Sequence, residues 1–109
     1  MAGQLPAKAI RQFGDLRIRR RAAQDAVLAE VLGQALREIQ ALLERSGRPY
    51  RLRARVTRWG EYLIRMEVGY GQRAERDSIW DHAAQALEEA RRGRDVHILC
   101  GIYPLLPGN

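Results

Sequence analysis

Between Tyr50 and Val68 apolar and polar positions alternate in two successive runs. In the first, Tyr50, Leu52, Ala54 and Val56 alternate with Arg51, Arg53 and Arg55; in the second, Tyr62, Ile64, Met66 and Val68 alternate with Leu63, Arg65 and Glu67. Strands send successive side chains to opposite faces, so strands are expected over residues 50–57 and 61–70. A two-residue loop between them would set Ala54 against Arg65 and mix charged with apolar residues on both faces. A three-residue loop, Arg58-Trp59-Gly60, instead pairs Val56 with Tyr62, Ala54 with Ile64, Leu52 with Met66 and Tyr50 with Val68. Every one of those pairs is apolar, and a one-residue slip would turn one strand over, so this register is preferred. Gly60 then takes the left-handed position such a loop requires. The opposite face sets Arg51 beside Glu67, Arg53 beside Arg65 and Arg55 beside Leu63. The like-charge pair costs about 0.2–1 kcal/mol, which folding alone does not repay and an anionic partner would.

Upstream the period changes. Leu28, Val31, Leu32, Ala35, Leu36, Ile39, Leu42 and Leu43 recur at steps of three and four, the stripe of an amphipathic helix. Gly47 and Pro49 end it. Its start has two readings: Asp15 caps a helix that begins at Leu16, or Leu16–Arg19 is a short strand and the helix begins near Arg21. The stripe fades before Leu28, where Arg21 and Gln24 occupy its line. The first reading gives a helix of about 25 residues and about 38 Å, longer than a strand of eight residues at about 27 Å, and the overhang suggests a dimer or docking surface. Residues 1–14, with Gly3, Pro6 and Gly14 and no clear period, read as a flexible arm. Downstream, residues 71–77 read as a polar loop. A second helix is expected from Ser78 to Arg92, capped by Asp77 or Ser78, with Ile79, Trp80, Ala83, Ala84, Leu87 and Ala90 on its apolar face. A last strand, Val96 to Tyr103, is apolar on both sides and reads as central or covered; the Leu105-Leu106 tail packs back or meets a partner.

The order is α-β-β-α-β over residues 15–109, one α+β domain: a two-layer sandwich with two helices on one face of a small, mainly antiparallel sheet. A strand at 16–19 would make it β-α-β-β-α-β, the ferredoxin-like connectivity. Either way the helices cover the apolar sheet face and leave the arginine face open.

Charge sharpens that picture. The chain has 109 residues and a formal net charge of +6. Residues 1–21 carry +5 and residues 48–60 carry +5, while residues 22–47 carry −2. Eighteen of the 19 basic residues are arginines. Arginine's planar fork grips phosphate or carboxylate with two hydrogen bonds, although GC-rich codon usage also produces such a skew. A lone cysteine, Cys100, permits neither an internal disulfide nor a cysteine zinc site and suits a reducing cytoplasm. Neither a signal peptide nor a membrane span is read from the sequence, and no cofactor motif is found.

Three functions fit. The first is non-catalytic binding of RNA or DNA within a larger assembly. Arg51, Arg53, Arg55 and Arg65 would contact phosphates and Trp59 would stack or anchor, with Arg19, Arg20 and Arg21 as a second anion-binding group. The second is a protein–protein adaptor or dimeric accessory subunit whose arginine face meets an acidic partner. The third is an RNA-cleaving toxin: the hairpin from Arg58 to Arg65 is similar to hairpins of that class, but the element order differs. His97 and Cys100 lie three apart on a strand and face opposite sides, so they do not form a nucleophile–base pair.

Overall fold

The computed structural model describes residues 4–106. Its elements are helices α1 (Gln4–Phe13), α2 (Leu16–Gln24) and α3 (Ala26–Ser46), strands β1 (Tyr50–Val56) and β2 (Tyr62–Val68), helix α4 (Arg73–Arg91) and strand β3 (Ile98–Pro104). The strands form one sheet in the order β1-β2-β3. The helices pack on its apolar face, giving the expected α+β fold.

The hairpin register is the one that the alternation demands. Val56 pairs with Tyr62, Ala54 with Ile64, Leu52 with Met66 and Tyr50 with Val68. The Thr57 N–H donates to the Glu61 carbonyl at 2.7 Å, closing the loop Arg58-Trp59-Gly60, and Gly60 takes φ +84°. Leu52, Ala54, Val56, Ile64, Met66 and Val68 are buried in one core with Leu32, Leu36, Ile39 and Leu43 of α3. β2 pairs with β3 in parallel, so the sheet is mixed, half antiparallel and half parallel. Parallel neighbours need a long crossover, and α4 supplies it. β3 is therefore an edge strand, not a central one; its apolar helix-side residues Ile98, Cys100 and Ile102 lie under α4 and its flanks.

Four expectations change at the helices. Residues 16–19 are helical, which removes the ferredoxin-like order. In place of that strand, Gly14 makes a single parallel bridge to Ala54, and the Asp15 N–H donates to the Ala54 carbonyl at 3.0 Å. Residues 4–13 of the segment expected as an arm form α1, with Ala9 and Ile10 buried, and residues 1–3 of it lie outside the described residues. Pro6 falls in the first turn, where its missing N–H costs nothing, so it does not prevent the helix. The long helix is broken at Asp25, whose backbone is extended (φ −137°, ψ 101°) and whose carboxylate accepts from the Leu28 N–H at 3.1 Å. α3 then has 21 residues, about 32 Å at 1.5 Å per residue, with α1 packed against it, so the overhang expected of one helix of about 25 residues is shortened. Finally, α4 begins at Arg73, not Ser78. Gln72, at its N-cap, makes no side-chain cap. Glu75 substitutes by reaching back to the Gly71 N–H at 2.8 Å, half of a capping box without its Ser or Thr. The Arg48 guanidinium, 2.8 Å away, and then that N–H hold the Glu75 carboxyl below its ordinary pKa.

Candidate nucleic-acid interface

The face of the sheet turned away from the helices is set by strand parity and register. β1 contributes Arg51, Arg53 and Arg55, β2 contributes Leu63, Arg65 and Glu67, and β3 contributes Leu99, Gly101 and Tyr103. Across the sheet they form three rows: Arg51–Glu67–Tyr103, Arg53–Arg65–Gly101 and Arg55–Leu63–Leu99. The four arginines expected on one face therefore share it. Arg53 and Arg55 are exposed, and among the described residues neither lies within ion-pair distance of a carboxylate.

The other two arginines are already engaged. Glu67 receives both: its Oε1 is 3.8 Å from Nη1 of Arg51 and its Oε2 is 3.4 Å from Nε of Arg65. Arg65 also lies over the Tyr103 ring, with Cζ 3.8 Å from the centroid. The expected clash of Arg53 with Arg65 is thus relieved inside the chain, because Arg65 turns across the sheet toward β3. Gly101 makes room for this arrangement. A Cβ at that position would stand 2.9 Å from the Tyr103 hydroxyl and 3.1 Å from its ring, so the ring lies flat over bare backbone. Glycine inside a strand often marks such a close approach. Gly101 was not singled out from the sequence, and its signal was a glycine two residues before an aromatic in an otherwise apolar strand.

Trp59 stands at the hairpin tip, 73% exposed. The Arg58 guanidinium lies over it, 4.5 Å from the ring centroid, so Arg58 accompanies the indole and leaves the sheet patch. Arg19, Arg20 and Arg21 are all exposed on α2, whose first turn is capped by Asp15 through the Ile18 N–H at 2.8 Å. Successive helix residues are about 100° apart, so these three do not share a face. Arg19 opens toward a groove of about 840 Å³ between α1, α2 and α3 that Arg11 and Arg37 also line. The α2 N-terminus is nonetheless held at the outer edge of β1 by the Asp15–Ala54 hydrogen bond, so the two basic blocks of the sequence adjoin there.

The remaining reactive groups lie elsewhere. His82 Nδ1 is 2.7 Å from the Ser78 carbonyl one turn back on α4. Cys100 has the strand parity of the helix side, and burial pushes its thiol up to about 11. Trp80, placed on the apolar face of its helix by periodicity, is partly exposed and donates its indole N–H to the Cys100 carbonyl at 3.1 Å. Among the described residues no three His, Cys, Asp or Glu side chains gather as a metal-ligand set, and no helix is long and apolar enough to cross a membrane. Comparison of the chain with protein-family models, with curated proteins and with solved structures finds no match.

Proposed function

We propose that this protein is a non-catalytic nucleic-acid-binding module, working within a larger assembly, and that the open sheet face is its contact surface. The observation that carries this reading is the state of Arg53 and Arg55: two exposed guanidinium groups, side by side on the open sheet face, with no carboxylate of the described residues within ion-pair distance. Guanidinium groups in that state bind phosphate with charge-assisted hydrogen bonds and release condensed counterions, which gives affinity with little sequence preference. Arg51 and Arg65 stand beside them, and the exposed arginines of α2 add to the same positive field.

The assembly component is supported by Leu106, a large apolar side chain left 63% exposed. An acidic protein partner is the competing occupant. It is favoured by Leu63 and Leu99, two half-buried leucines in the row of Arg55, because a mixed apolar and basic surface also suits an amphipathic acidic segment. The two are separated by titrating labelled RNA and DNA at low and moderate salt with the native chain and with the Arg51→Ala/Arg53→Ala/Arg55→Ala variant. Binding that falls steeply with salt and drops in the variant is expected. Absence of binding at low salt would remove the nucleic-acid reading, and copurified acidic protein held through the same arginines would then replace it.

A further inference from the structure

We propose that the nucleic acid is single-stranded, and that a few unpaired bases lie across β2 and β3 between the Arg65–Tyr103 stack and Trp59, with their phosphates on Arg53 and Arg55. This rests on the binding reading above and goes beyond it, because arginines alone grip a duplex as readily as a single strand.

Three observations select the single strand. The first is the pair of flat surfaces. The Tyr103 ring lies over Gly101 and carries the Arg65 guanidinium at 3.8 Å; Trp59 is exposed at the tip with the Arg58 guanidinium at 4.5 Å. Unpaired bases stack on aromatic rings and on guanidinium planes, whereas the bases of a duplex are already stacked on one another. The second is the centre of the face. Leu63 and Leu99 are neighbours in the sheet and only half-buried. A duplex would present phosphates and sugars to them, which gain nothing from apolar contact; the faces of unpaired bases would cover them. The third is the division of the face, which sets cations beside stacking groups as an unpaired strand requires; the same-face side chains of β1 recur every two residues, about 6.8 Å at 3.4 Å per residue, a spacing that the phosphates of one strand can follow. On this face the arginines that pair with no carboxylate among the described residues, Arg53 and Arg55, thus lie on β1, and the stacking and apolar groups lie on β2, β3 and the hairpin tip. From Arg65 to Tyr62 is three residues, or about 10 Å along β2, with Trp59 beyond it at the hairpin tip, room for a few nucleotides.

The test uses the full chain and a fluorescein-labelled 12-nucleotide RNA of mixed sequence without self-complementarity, free or annealed to its complement, with the DNA equivalents. The single strand is expected to bind at least tenfold tighter than its duplex. Trp59→Ala and Tyr103→Leu are each expected to weaken single-strand binding by about tenfold, the first by removing a ring on which a base stacks and the second by removing the ring that holds the Arg65 guanidinium as a stacking plane. Neither should change the slope of affinity against salt, because no phosphate contact is removed. Trp59 is exposed at a loop tip, so its variant folds; the leucine at 103 keeps apolar bulk, and its fold is verified by circular dichroism. Equal or tighter duplex binding that still depends on Arg53 and Arg55, or no loss in either aromatic variant, overturns the single-strand proposal and leaves the binding module standing. No binding of any of the four probes overturns both.

Discussion

Among the described residues Glu67 is the one carboxylate that the observed strands carry on the open face, and its removal makes a prediction opposite in sign to ordinary damage. Substitution Glu67→Gln keeps the side chain's size and an oxygen to accept from Arg65 Nε, but it deletes a negative charge that now sits 3.8 Å from Arg51 and 3.4 Å from Arg65. Both arginine side chains are about a third or more exposed. Each ion pair therefore falls in the surface class, about 0.2–1 kcal/mol, and the variant should lose no more than about 1–2 kcal/mol of folding stability. For binding, the change frees Arg51 and Arg65 for phosphate. If each freed arginine gains a fraction of one contact, the slope of log affinity against log salt should steepen by up to about 0.7 for each added single-strand phosphate contact. Fluorescence polarisation across a salt series, with a urea melt of the same preparation, reads both quantities. The expected result is tighter binding at low salt, by several-fold, from a slightly less stable protein. Unchanged or weaker binding from a folded Glu67→Gln variant would refute the idea that anions dock on this face.

The scaffold makes predictions of its own. Gly14→Ala places a Cβ 2.6 Å from the Ile10 carbonyl oxygen and 2.9 Å from Ile18 Cγ2, so a urea melt should show a loss of about 1–3 kcal/mol, the range for overpacking; native stability would mean the α1–α2 corner has slack. Asp25→Ala removes the carboxylate that caps α3 and should cost about 0.5–2 kcal/mol, measured as a lower melting temperature; no loss would show that the break between α2 and α3 does not depend on the cap. The Cys100 thiol, pushed up to about 11 from an ordinary 9.0 by burial, should resist iodoacetamide at pH 8 in the folded protein and react promptly in urea. Because the folded state holds that proton more tightly, the stability contributed by the neutral thiol is present below pH 9 and declines between about pH 9 and 11. Fast alkylation under native conditions would contradict the burial.

The parts of the fold legible in the sequence were those where one physical constraint had one solution. The hairpin register followed from alternation plus a loop length that left no charged residue facing the helices, and it holds pair by pair. The helix errors arose where the usual signals were split or absent. α4 starts five residues early because Glu75 caps it from within, without the Ser or Thr that marks a start. α2 and α3 separate at Asp25, which a helical period tolerates; the fading stripe near Gln24 was the visible trace. α1 was hidden because Pro6 and Gly14 punctuate both ends of a segment whose apolar residues show no clear period. On the candidate face the backbone positions of Arg51, Arg53, Arg55 and Arg65 were legible, but side-chain direction was not. Whether Arg65 faces Arg53 or crosses to Tyr103 depends on which residue of β3 lies alongside it. That is settled by the parallel pairing Arg65–Gly101, a contact between segments far apart in the chain.

The most direct measurement of the central claim is the salt dependence of RNA and DNA binding by the Arg53→Ala/Arg55→Ala variant beside the native chain. Both side chains are exposed and form no ion pair among the described residues, so the variant should fold normally. If the open face holds phosphates, log affinity should fall linearly with log salt, and the slope should be shallower in the variant by about 1.4 for two single-strand contacts at roughly 0.7 each. Identical slopes for the two proteins, or no binding by the native chain at low salt, would contradict it.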